Sequence, residues 1–155
     1  MHYRECGKVG VSEQGVTIMA DSIFSRGETV SDVFCTDYDH CLAFYRDTLG
    51  LEVEELRGME GNALVHTGHG SKLALHKSDS GSGEHTVASF LTDDFGGAID
   101  YLRSKGVKLE DYDLPGIKTV DGIASWGDFK AAWFKDPAGN VLCVSPSYGA
   151  MSKAA

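Results

Sequence analysis

Three histidines in the middle of the chain, His66, His76 and His85, an acidic residue upstream, Asp32, and a cysteine near the end, Cys143, are the residues best equipped for chemistry. An imidazole titrating near neutrality can act as a general base or a metal ligand. Set against a histidine from a facing strand, Cys143 would make a thiolate nucleophile. Its apolar neighbours, Leu142 and Val144, favour the plainer reading of a cysteine that packs as a small hydrophobe. Cys6, Cys35, Cys41 and Cys143 lack the C-x-x-C spacing of zinc and redox sites, and no Ser-His-Asp signature occurs. Asp37, Asp39 and the Asp93-Asp94 pair stand before helical patterns, where carboxylates cap N–H groups and meet the helix dipole. Gly96-Gly97 lacks the G-x-G-x-x-G pattern of a phosphate loop. Trp126, between Ser125 and Gly127-Asp128, is hard to place in a core, and its ring could stack on a flat partner.

The elements that would position these groups come in two similar sets. In the first, Thr29–Thr36 reads as a strand and Asp37–Asp39 as an N-cap, and a helix through Leu42, Tyr45 and Leu49 ends at Gly50. Strands are expected at Leu51–Arg57, Asn62–His66 and Lys72–His76. In the second, the strand Thr86–Thr92 leads to a helix over Ala98–Lys105, closed by Gly106. Strands at Val107–Asp111, Ala131–Phe134 and Asn140–Ser145 complete that set. The interval from Val30 to Val87 is 57 positions and that from Gly50 to Gly106 is 56, so the units repeat nearly in register. A Gly-rich connection between Asp113 and Phe129 is the main excess of the second set. Near the end, Asp136-Pro137-Ala138-Gly139-Asn140 reads as a tight hairpin turn, with Gly139 and Asn140 tolerant of positive φ.

The composition fits one compact domain: 155 residues, 42% hydrophobic and 24% charged. A net charge of −9 without a Lys/Arg cluster argues against nucleic acid as a partner. The absence of an apolar run of membrane length argues against a membrane, and the cysteine usage suits a reducing, cytoplasmic setting. Residues 1–28, rich in Gly, Ser and Glu, read as a dispensable extension. A single domain is expected over 29–147, with modules at about 29–80 and 84–147 and a tail at 148–155.

The doubled β-α-β-β-β order, together with Phe44-Tyr45-Arg46-Asp47-Thr48-Leu49-Gly50, Leu73-Ala74-Leu75, Trp126-Gly127 and the Asp136–Asn140 hairpin, resembles the vicinal oxygen chelate superfamily. That group contains glyoxalases, bleomycin-resistance proteins and extradiol dioxygenases. The resemblance implies an α+β fold in which two βαβββ modules form a U-shaped half-barrel. It also implies a homodimer.

The family usually holds a divalent ion with His, Gln or Glu from the first and last strands of each module. By the same resemblance, those positions fall here on Val30, Ala74, Val87 and Cys143. Three aliphatic side chains and a thiol do not suit a hard cation, so no metal and no cofactor are expected. Alternation places His76, two beyond Ala74, and His85, two before Val87, on the cavity side together with Asp32. A displaced Asp32/His76/His85 ligand set is one reading; solvated or hydrogen-bonded histidines are the other. The leading functional expectation is a metal-independent binding protein for a planar or hydrophobic small molecule. Val30, Ala74, Val87 and Cys143 would form its floor, with Asp32, His76, His85 and Trp126 around the ligand. The alternatives are a lyase, isomerase or dioxygenase with displaced ligands or a histidine base, and a non-catalytic scaffold.

Overall fold

The computed structural model describes residues 30–80 and 83–146. The expectations for residues 1–28 and 148–155 lie outside the described residues. In the first module, β1 (Ser31–Cys35) alternates buried Val33 and Cys35 with exposed Asp32 and Phe34. The Asp37 carboxylate accepts from the His40 N–H at 3.2 Å and starts α1 (Tyr38–Ala43), which widens into a π-helical turn over Phe44–Thr48. The strands β2 (Glu52–Glu55), β3 (Asn62–His66) and β4 (Lys72–Lys77) follow. They give the order β1-β4-β3-β2, with β1 parallel to β4.

The second module repeats the plan. The strand β5 (Thr86–Thr92) leads into α2 (Phe95–Ser104), capped by Asp94, whose carboxylate accepts from the Gly97 N–H at 2.9 Å. The strands β6 (Asp113–Leu114), β7 (Ile117–Val120), β8 (Ile123–Trp126), β9 (Phe129–Lys135) and β10 (Val141–Pro146) complete the order β5-β10-β9-β8-β7-β6. Here β5 is parallel to β10, as β1 is to β4. The result is the expected α+β half-barrel, with β1 and β5 neighbouring each other where the modules meet.

Two expectations need correction. Val107–Asp111 is not a strand; only Leu109 forms an isolated bridge, to Phe134. The strand in its place is β8, inside the segment expected to be a connection. The reason is a two-residue turn: Asp121 and Gly122 take φ of 52° and 76°, and Val120 pairs with Ile123 across them. Such an Asp-Gly turn matches the twist of the strands it joins. The β6–β7 hairpin is therefore an addition at the sheet edge. In the last turn, Gly139 takes the positive φ (84°), whereas Asn140 holds the turn with its side chain.

The core lies between the helices and one face of both sheets, built around Val33, Tyr45, Val65, Leu75, Phe134 and Leu142. Burying each such side chain fully stabilises the fold by about 1.5–3 kcal/mol. Polar bonds stitch the modules together. The Tyr45 hydroxyl donates to Asp136 Oδ2 at 3.0 Å, Asn140 Nδ2 to the Phe34 carbonyl at 2.9 Å, and the Tyr101 hydroxyl to the Thr48 carbonyl at 3.1 Å. Among the described residues, no helix is long and apolar enough to cross a membrane.

Candidate functional site

Side chains that point away from the core line the inner face of the half-barrel. In the first module alternation sends Asp32 and Phe34, Ala74 and His76, and Asn62 and Leu64 to that face, while Val33, Leu75 and Ala63 are buried on the other. Asp32, His76 and Asn62 form a continuous polar chain across three strands. His76 Nε2 lies 2.9 Å from Asp32 Oδ1, and His76 Nδ1 lies 2.7 Å from Asn62 Oδ1. The amide orientation is fixed from behind, because Asn62 Nδ2 donates to the carbonyls of Met59 at 3.3 Å and Glu60 at 3.1 Å. Both ring nitrogens thus face side-chain oxygens, and which of them donates depends on the tautomer. The half-exposed Phe34 ring lies 5.5 Å from the imidazole. A second pair on this sheet joins His66 Nε2 to Glu54 Oε2 at 3.1 Å.

In the second module the inner face is aromatic. Trp126 packs edge-on to Trp133 at 6.3 Å, and Tyr112 edge-on to Trp133 at 5.5 Å. Trp126 Nε1 donates to the Gly116 carbonyl at 3.0 Å, which ties the β6–β7 hairpin to this face. Trp133 Nε1 donates to Thr86 Oγ1 at 3.2 Å. Cys143, opposite Trp133, is buried, and its thiol donates to the Val144 carbonyl at 3.7 Å. Burial pushes this thiol's pKa up, against the opposing pull of a hydrogen bond with Ser89. A protonated, enclosed thiol is a poor nucleophile.

The structure therefore joins Asp32 to His76 and places Ala74 beside them, and it puts Trp126 and Cys143 on the same face of the second sheet. It does not bring His85 into the set. His85 is exposed just before β5, and the displaced Asp32/His76/His85 ligand cluster is not assembled among the described residues. Val30 is half-buried at the entrance to β1. Val87 departs from the expected floor, because the β5–β10 register breaks there and its side chain packs against the core cluster. The residues that the family resemblance assigns to metal binding do not fit the ion.

Sequence reasoning missed a cleft of about 610 Å³ between β5 and the β3–β4 turn, lined by His69, Ser71, Ser89, Leu91 and Asp93 among others. His69 is held there in the left-handed region at φ 58°, a conformation uncommon outside glycine that concentrates at functional positions. Ser145, buried on β10 and paired with Leu91, has a hydroxyl with no partner among the described residues. A buried polar atom of this kind marks a place for water or a ligand atom. The Gly68-His69-Gly70 triplet was the available signal for the turn.

The one cluster with metal-ligand potential among the described residues is Cys35, Cys41 and Asp136, buried in the core. Hydrogen bonding with Cys41, then burial, drives the Cys35 thiol's pKa well above the ordinary thiol range. Burial, then the Asp136 charge, does the same to the Tyr45 phenol. These groups keep their protons in the fold while the unfolded chain ionises, so stability is fully present below the ordinary thiol pKa and falls above it. The Tm is expected to drop progressively above about pH 9. A flat profile from pH 8 to 10.5 would contradict this burial.

Comparison with known proteins agrees with the geometry. Among solved structures, a bleomycin-binding protein complexed with bleomycin aligns at TM-score 0.59 and 18% identity, covering 78% of this chain and 98% of that one. A lactoylglutathione lyase from Agrobacterium tumefaciens aligns at 0.57 and 19%, covering 78% and 93%. The fosfomycin resistance protein FosX from Listeria monocytogenes aligns at 0.53 and 10%, covering 78% and 90%. At these identities the likeness shows the fold alone. A search of curated proteins finds no match. The family model for the Glyoxalase/Bleomycin resistance protein/Dioxygenase superfamily matches residues 27–144, and the chain belongs to that superfamily.

Proposed function

We propose that this protein binds a planar or hydrophobic small molecule inside the half-barrel, without a divalent ion and without turnover. The observation that carries the reading is the engagement of His76 by Asp32 and Asn62. Both ring nitrogens lie within hydrogen-bond distance of Asp32 and Asn62, so the imidazole is engaged by its neighbours on the inner face rather than directed into open space. Cys143 is enclosed and protonated, which removes the other candidate nucleophile. What remains exposed suits binding. The Phe34 and Trp126 rings offer apolar faces, and the Asp32 carboxylate, largely exposed, offers an acceptor for a donor or cationic group on the ligand. A protein of the same fold binds bleomycin, which makes that compound a suitable first probe.

Titration of chelator-treated protein with bleomycin and with planar aromatic cations tests it. Saturable quenching of tryptophan fluorescence is expected, weakened about tenfold or more in Trp126→Phe by loss of stacking worth about 1.4 kcal/mol. Ni²⁺, Mn²⁺, Zn²⁺ and Fe²⁺ are expected to leave the Tm unchanged. Stoichiometric metal in the purified protein, lost in Asp32→Asn, would replace this reading with the enzyme alternative. Assembly as a homodimer belongs to the same proposal, and sizing chromatography that shows a monomer at micromolar concentration would remove it.

A further inference from the structure

A further cleft, of about 320 Å³, lies beside the β9–β10 turn, where α1 and its π-helical turn face the segment that follows α2. His40 and Thr48 line it from the first module, and Lys105, Lys108, Glu110 and Lys135 from the second. Three of the chain's 14 lysine and arginine residues thus meet in one place, against the overall net charge of −9. Two carboxylates share the wall, and both are already engaged. Glu110 pairs with Lys135 at 3.2 Å, and Asp136 is buried with both oxygens filled by neutral donors. Lys105 caps the C-terminus of α2, where a cation meets the helix dipole, and its ammonium lies 5.5 Å from the Tyr101 ring centre. No such partner accounts for Lys108, whose ammonium is unpaired among the described residues. Its backbone is nonetheless fixed on either side. The Val107 N–H donates to the Leu102 carbonyl at 3.0 Å, and the Glu110 N–H to the Trp133 carbonyl at 2.7 Å.

We propose that this cleft binds a small, multiply charged oxyanion of the phosphate type at Lys105 and Lys108, with the Thr48 hydroxyl as a further donor. Lysine ammonium groups hold phosphate as point charges and demand no particular fork geometry. The attraction requires no sealed cavity, since charges interact across an exposed surface within a Debye length of about 8 Å at physiological salt. A cation would be repelled by the unpaired Lys108, and a neutral molecule would gain nothing from it. None of the side chains named on the inner face lines this cleft, so the site does not depend on what the half-barrel interior binds.

Inorganic pyrophosphate serves as the probe, titrated into the full chain against sodium chloride of equal ionic strength. Saturable amide NMR shifts are expected at Thr48, Gly106, Val107 and Lys108. At ten times its Kd, pyrophosphate is expected to raise the Tm by about 3–6 °C over the chloride reference. Combining Lys105→Ala with Lys108→Ala is expected to weaken binding about tenfold or more. Both side chains are exposed, and circular dichroism checks that the double variant folds. Lys118→Ala, at an exposed lysine outside the cleft, is expected to leave binding unchanged. Should the double variant fail to fold, the shifts in the natural chain decide alone. No saturable response, a chloride response of the same size, equal affinity in the folded double variant, or shifts centred on the Trp126–Trp133 face would overturn the proposal.

Discussion

Replacing Asp136 with alanine is expected to destabilise the protein by about 3–5 kcal/mol, the loss following from several buried donors left without a partner. Asp136 is 4% exposed, and each of its carboxylate oxygens accepts two hydrogen bonds. Oδ1 receives the backbone N–H groups of Ala138 and Asn140, both at 2.9 Å. Oδ2 receives the Tyr45 hydroxyl at 3.0 Å and Asn140 Nδ2 at 2.7 Å. One truncation therefore loosens the β9–β10 turn and the junction of the modules together. Urea unfolding measures it, as a shift in midpoint at constant m. Tyr45→Phe removes one donor and is expected to lose about 1 kcal/mol, because the carboxylate keeps its other three. Equal losses for the two variants would show that Asp136 does not unite these contacts.

Gly122→Val is expected to cost about 2–5 kcal/mol. Gly122 sits at φ 76°, and a Cβ there would come within 2.5 Å of Leu109 Cβ. The left-handed conformation costs a branched residue roughly 1–2 kcal/mol, and overpacking adds about 1–3 kcal/mol. Gly116→Ala separates the two contributions: Gly116 also has a positive φ, 84°, but open space around its Cβ position. It is expected to lose only about 1 kcal/mol. Thermal melts read the stability, and near-UV circular dichroism reads the Trp126 environment at the end of β8. An unchanged melt for Gly122→Val would contradict the hairpin geometry.

The same hairpin shows why part of the fold was legible and part was not. Strands flanked by glycine turns and alternating in polarity, such as Asn62–His66 and Thr86–Thr92, were found with their observed bounds. In the second module, Val107–Asp111 carries apolar residues at alternate positions, Val107 and Leu109, and so imitated a strand. Asp121-Gly122, between Ile117–Val120 and Ile123–Trp126, was the stronger signal, an Asp-Gly pair between two alternating segments. The glycines around it suggested a loop and concealed three consecutive pairings across two-residue turns.

At the candidate site, alternation placed Asp32 and His76 on one face, and the structure joins them. Asn62 completes that chain through a pairing between β3 and β4, and sequence spacing alone does not supply such a register. Val87 packs against the core cluster where a single extra residue in β5 breaks the period of two. The cleft beside His69 depends on a turn from one module approaching a strand of the other, which local pattern does not encode.

The bonds from Tyr45 to Asp136 and from Asn140 to Phe34 span 91 and 106 positions. On the ribosome, the first half must therefore emerge and wait, with the Tyr45 phenol and the Phe34 carbonyl still lacking these partners, until the last hairpin is synthesised. Truncation before residue 136 is expected to yield a chain prone to aggregation rather than a smaller folded unit.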